Sequence, residues 1–127
     1  MKLVVFVCSF VILSAVQSTA QMSLVFTALK NGDVRSLTQQ MDDRLEIGIL
    51  DDQSFTTKDE ASKKLETFFR QNRPVDFQEM HKGSSRGRDS KYTIGTLETR
   101  NGTFRVYIFA VQQGRNTIIQ ELRIDRE

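Results

Sequence analysis

Few side chains in this sequence are of types that do chemistry, and their spacing limits what each can do. His81 is the only histidine. Acid–base catalysis or metal ligation would need a partner at fixed geometry. The only nearby carboxylate on the strand parity of His81 is Glu79. With no second ligand or base, His81 reads as an exposed or hydrogen-bonded strand residue that can contact a partner. Asp42-Asp43 and Asp51-Asp52 are separated by an intervening strand. That strand holds the two pairs roughly 25 Å apart at about 3.3 Å per residue, too far for one calcium or magnesium ion. No metal and no cofactor is expected. The single cysteine, Cys8, lies in an apolar leader. The rest of the chain therefore has no thiol for catalysis, a disulfide or a cysteine-based zinc site.

Two clusters of charge remain. Lys82, Arg86, Arg88 and Lys91 surround a Gly/Ser loop, but no aromatic residue lies between Gly83 and Ser90 to stack bases. The chain carries 18 Lys and Arg against 16 Asp and Glu, a formal charge of +2. That lacks the excess a phosphate backbone demands, so no nucleic-acid partner is expected. The second cluster is Arg105, Tyr107, Glu121 and Arg123. It reads as a cross-strand ladder with Arg123 over Tyr107, set in a patch suited to a ligand or partner.

The elements that must position these residues follow from periodicity and turn chemistry. Met22, Val25, Phe26 and Leu29 fall on one helical face, and Asn31-Gly32 ends that helix. Asp33 can cap a second helix carrying Val34, Leu37 and Met41; the two could also be one kinked helix. Leu45 to Ile49 alternates as a strand, and Phe55-Thr56 reads as a short return strand. Thr57-Lys58-Asp59-Glu60 is a capping box that opens a helix burying Ala61, Leu65, Phe68 and Phe69. Pro74 stops it. Four strands follow, over residues 75–82, 91–100, 103–112 and 117–125. Asn101-Gly102 predicts a type I′ hairpin pairing Arg100 with Thr103, Leu97 with Val106 and Glu98 with Arg105. A loop around Gly114-Arg115-Asn116 then pairs Tyr107 with Arg123 and sets Arg105 between Glu98 and Asp125.

This register sorts the strands into two faces. Gly95, Leu97, Phe104, Val106, Ile108, Ala110, Ile118, Leu122 and Ile124 form one, almost purely apolar, which should lie under the helices. The other carries Tyr92, Ile94, Thr96, Glu98, Arg105, Tyr107, Phe109 and Val111. Five large apolar or aromatic residues on a face of that kind mark an interface.

Residues 1–20 differ in kind from the rest. A lysine start, an apolar run from Leu3 to Leu13 and a small-residue end at Ser18-Thr19-Ala20 fit a signal peptide cleaved after Ala20. The run is too short to span a membrane, which takes about 20 apolar residues. The expectation is export to the periplasm or beyond, with no stable membrane insertion after cleavage, leaving residues 21–127 as a single domain. Asn101-Gly102-Thr103 matches a glycosylation acceptor, but the hairpin accounts for it.

The predicted order, together with Ala28-Leu29-Lys30-Asn31-Gly32-Asp33, His81-Lys82-Gly83, Lys91 to Leu97, Gly102 to Tyr107 and Gln120 to Ile124, resembles a bacterial family of small exported domains. That family is domain of unknown function 4783, of the nuclear-transport-factor-2-like superfamily. The resemblance implies an α+β fold, with N-terminal helices packed on a curved antiparallel sheet that forms a cone. It carries over no activity. Enzymes of the superfamily place an acid–base pair inside the cone, whereas the presumed inward face here offers mainly Thr93, Thr99 and Gln120. The balance falls on a non-enzymatic binding or interaction module. Its expected partner is a second copy or an envelope protein, engaged through the face that carries His81, Tyr92, Ile94, Arg105, Tyr107, Phe109, Glu121 and Arg123. The alternative is a binder of a small apolar ligand, or a cryptic enzyme, using the cone interior.

Overall fold

The computed structural model describes residues 17–84 and 89–127. Most of the expected leader, and the loop residues Arg86 and Arg88, lie outside the described residues. The elements run α1 (Gln17–Asn31), α2 (Val34–Gln39), β1 (Met41–Ile49), β2 (Asp52–Thr57), α3 (Lys58–Gln71), β3 (Pro74–Ser84), β4 (Ser90–Thr99), β5 (Gly102–Gln113) and β6 (Asn116–Arg126).

Local chemistry sets the helix boundaries. Gly32 takes the left-handed conformation, φ +65°, that a side chain would resist, and it separates α1 from α2. Asp33 caps α2: its carboxylate accepts from the Ser36 hydroxyl at 2.6 Å and the Ser36 N–H at 3.2 Å. These two bonds hold the Asp33 carboxyl below the usual carboxylate range. The N-terminal helices are therefore two. Met41 leaves the expected helical stripe and is instead buried at the head of β1. Thr57 caps α3 by accepting from the Glu60 N–H at 3.3 Å. β2 turns back from β1 through Leu50, which adopts φ +56°.

Among the described residues, six strands form one curved sheet in the order β2-β1-β6-β5-β4-β3. β1 lies parallel to β6, and every other pair is antiparallel. The three helices pack on one side. Between them and the sheet lies a dense core in which Leu29, Leu37, Leu65, Leu97, Phe104 and Leu122 are fully buried. Phe104 meets Phe68 of α3 edge to face, with ring centroids 5.0 Å apart. This is the expected α+β cone.

The sheet register departs from expectation in two places. The β4–β5 turn pairs Thr99 with Gly102, Leu97 with Phe104 and Glu98 with Thr103. Arg100 and Asn101 thus form the turn and keep negative φ, so it is not type I′. The Thr99 hydroxyl donates to the Gly102 carbonyl and accepts from the Asn101 N–H. The Arg100 N–H donates to the Arg73 carbonyl, fastening the turn to the α3–β3 connection. The displacement is two residues, so every side chain keeps its expected face. Arg105, however, now lies between Thr96 and Asp125, with Glu98 opposite Thr103. In the β5–β6 pair, Tyr107 meets Arg123 as expected. A bulge near Gln120 then rotates the strand, so that Ile119 is buried and Ile118 lies opposite Val111 on the open face. Ile118 was expected in the core.

Candidate functional site

The strands present two surfaces that could carry function: the uncovered sheet face, and a cleft at the rim of the covered one. The face that no described helix covers collects all eight residues that the sequence nominates. His81 lies opposite Ile94, Ile94 opposite Tyr107, and Tyr107 opposite Arg123. Tyr92 lies opposite Phe109, and Phe109 opposite Glu121. Arg105 sits one pair further along, opposite Asp125.

The side chains on this face lie flat. The Arg123 guanidinium carbon is 4.7 Å from the Tyr107 ring centroid. Tyr107 stacks with Tyr92 at 6.5 Å and 20° between planes. Glycines make room for the two ends of the row. A Cβ on Gly83 would come within 2.5 Å of the Tyr92 ring, and one on Gly48 within 3.1 Å of Arg123 Cγ. Arg123 Nε is buried, makes no hydrogen bond, and has the Glu121 carboxylate 3.8 Å away. Ile118 joins Val111 at one end of the patch. At the other, Phe55 is 58% exposed, with Arg44 above its ring at 5.2 Å. A low-relief surface of aromatic and aliphatic groups, edged by charges of both signs, suits contact with another flat surface.

His81 and Glu79 are not a pair. A bulge at Met80 sets Glu79 opposite Gly95 and His81 opposite Ile94, on contrary faces of the sheet. They cannot act together on one substrate. The two acidic pairs are engaged locally, Asp43 with Lys58 at 3.4 Å and Asp52 with Lys64 at 3.1 Å. Among the described residues, no group of three or more His, Cys, Asp or Glu is gathered to hold a metal, and no helix is long and apolar enough to cross a membrane.

The inward face also differs from expectation. Thr99 is taken up by the β4–β5 turn, and Gln120 donates to the Asp42 carboxylate at 3.3 Å. Only Thr93 of the expected trio faces the cone mouth. It is 4% exposed and donates to Glu79 Oε2 at 3.5 Å. The centre of the cone is filled by the core, but between α1 and the β3–β4 hairpin a cleft of about 480 Å³ opens. Met22 and Phe26 line it from the helix, and Glu79, Lys82, Lys91 and Thr93 from the strands. Sequence reasoning placed neither Glu79 nor the two lysines there. One signal was available: the apolar alternation of Val75 and Phe77 slips phase at Met80, where the bulge falls.

The likeness to known proteins agrees with this architecture. Residues 22–125 match the family model described as Domain of unknown function (DUF4783). No curated protein matches the chain. A DUF4783 family protein from Bacteroides ovatus is 30% identical, with a TM-score of 0.76 over 83% of this chain and 94% of that one. One from Bacteroides fragilis is also 30% identical, with a TM-score of 0.75 over 82% of this chain and 96% of that one. An NTF2-like protein from Cytophaga hutchinsonii is 15% identical, at a TM-score of 0.64 over 87% of this chain and 95% of that one, a likeness of fold alone. The chain therefore belongs to the DUF4783 family of unknown function and folds as a nuclear-transport-factor-2-like α+β cone.

Proposed function

We propose that the mature domain is an exported, non-enzymatic interaction module that associates with a second copy of itself through the open sheet face. The observation that carries this reading is the gathering of Tyr92, Ile94, Tyr107, Phe109, Val111 and Ile118 on one uncovered, low-relief surface. Six strands about 4.8 Å apart, presenting roughly eight residues each, span on the order of 700 Å². A standard interface buries about 800 Å² per partner. The rim supports a partner of like kind. Arg44, Arg105 and Arg123 share the face with Glu46, Glu121 and Asp125. In a two-fold interface each patch meets its own copy, so balanced charges can pair across it. Against an enzyme stands the separation of His81 from Glu79 by the thickness of the sheet.

Light scattering on the mature chain across a concentration series tests this. The wild type is expected to run as a dimer that dissociates on dilution. Tyr107→Glu combined with Phe109→Lys is expected to run as a monomer with its urea midpoint little changed. A double variant that associates like the wild type would remove the sheet face from the proposal. A wild type that stays monomeric throughout would overturn self-association and leave the face to a different envelope protein.

A further inference from the structure

A second surface carries an inference independent of the first. We propose that the cleft between α1 and the β3–β4 hairpin binds a small apolar monocarboxylate, its head group on Lys82 and Lys91 and its hydrocarbon body against Met22 and Phe26. The fold brings these groups together from distant stretches of sequence. Lys82 lies opposite Thr93 and Ser84 opposite Lys91, so the two lysines flank Thr93 on the helix-facing side. Diagonal neighbours of this kind have Cβ atoms about 7 Å apart, a span that one carboxylate can bridge. Neither ammonium forms an ion pair among the described residues. An anion between them would relieve their mutual repulsion and gain two charge-assisted hydrogen bonds.

Exposed lysines alone would be no more than a solvated rim. The wall opposite them sets this pair apart. Met22 and Phe26 are only half-buried, and Phe26 rests on Phe77 with ring centroids 5.3 Å apart, forming a firm apolar side. The cleft volume falls within the range of small-molecule sites, roughly 300–1,000 Å³, which are mostly apolar with a few placed polar groups. Glu79, held by Thr93, is the one carboxylate lining the cleft among the described residues. Two ammonium groups and one carboxylate leave a net charge of +1, which matches a monoanion and disfavours a dianion. The sequence pointed to an apolar ligand in the cone interior. Among the described residues that interior is filled by the core cluster, and this cleft lies at its rim, where the lysines change the ligand class.

Decanoate serves as the probe, titrated into the mature wild-type domain by calorimetry and by NMR shift mapping, with decyltrimethylammonium as the charge-reversed control. Saturable binding tighter than about 1 mM is expected, with shifts at Phe26, Thr93 and Gly83. Lys82→Met with Lys91→Met is expected to weaken it about tenfold or more, one step of 1.4 kcal/mol. Glu79→Gln should tighten it several-fold. The sheet-face variant carrying Tyr107→Glu and Phe109→Lys should bind decanoate like the wild type, so the failure of either proposal leaves the other standing. Absence of saturable binding, equal binding of the cationic control, or indifference to the double lysine substitution would each overturn the assignment.

Discussion

The same strands build two unlike faces. Toward the helices, Leu97, Phe104, Val106, Ile108, Leu122 and Ile124 are sealed from solvent. One residue along each strand, Thr96, Arg105, Tyr107, Phe109, Glu121 and Arg123 look the other way, most of them only half-covered. The covered face is chosen for volume, and an error there leaves a cavity or a clash. The open face is chosen for outline and charge, and an error there should spare the fold. On the proposed reading, stability and association are written into alternate residues of the same segments, and substitutions can separate them.

Phe104 and Phe109 make the sharpest test, being on one strand with opposite orientation. Phe104→Ala removes a fully buried ring from its contact with Phe68 and is expected to cost about 3–5 kcal/mol in urea unfolding. Phe109→Ala should cost about 1 kcal/mol or less while weakening self-association. Equal losses of stability from the two would abolish the distinction between the faces. Glycines give a smaller, independent contrast. A Cβ on Gly95 would come within 2.3 Å of the Phe77 ring and 2.7 Å of the Gln78 carbonyl, neither of which can easily withdraw. Gly95→Ala is therefore expected to destabilise by about 1–3 kcal/mol. On the open face, a Cβ on Gly48 would lie 3.1 Å from Cγ of Arg123, whose stem can swing away, and at an ordinary contact distance of 3.6 Å from Gln53 Cγ. Stability should hold within about 0.5 kcal/mol, but lifting Arg123 off Tyr107 should loosen the proposed dimer.

A separate contrast lies in the helical layer and depends on pH. The Ser36 bonds lower the Asp33 carboxyl in the folded state. Its contribution is therefore complete above the ordinary carboxylate pKa, about 4, and fades as the pH falls through the lowered folded value. Asp33→Ala should cost about 1 kcal/mol at neutral pH, with the gap to wild type closing in acid. Asp33→Asn keeps a capping oxygen without the titration, so its deficit should be smaller and its acid dependence flatter.

Much of this was legible in the sequence because it rests on local rules. The Thr57 cap, the Gly32 break and the period-two faces of β4 and β5 need only their own neighbours. The parts that were not legible arise where strands stop alternating. Ile118-Ile119 offers two apolar residues for one core position, and only the parallel neighbour β1, with its own irregularity between Met41 and Glu46, shows which is taken. Met80 has the same effect on β3, turning His81 and Glu79 to opposite sides. The β4–β5 turn falls one residue earlier than expected, and the pairing shifts by two, because Arg100 and Asn101 are held from outside the hairpin. The Arg100 N–H reaches Arg73, and the Asn101 carboxamide donates to the Gln71 carbonyl. Each miss traces to a partner remote in sequence, and the cleft was hidden from the sequence by the Met80 bulge.

The position of β6 has a consequence for how this domain comes into being. The last strand in the chain is seated in the middle of the sheet, between β1 and β5. Until it arrives, the β1–β2 hairpin and the β3–β4–β5 meander share no strand-to-strand bond. The cone can therefore close only once β6 is available, and without it the sheet is in two separate pieces. Gln21 makes the dependence tighter, since its side chain grips the backbone at Arg115 and Thr117 in the turn that launches β6. A sheet so ordered cannot be finished in stages: its two halves join in one step, when β6 seats between them.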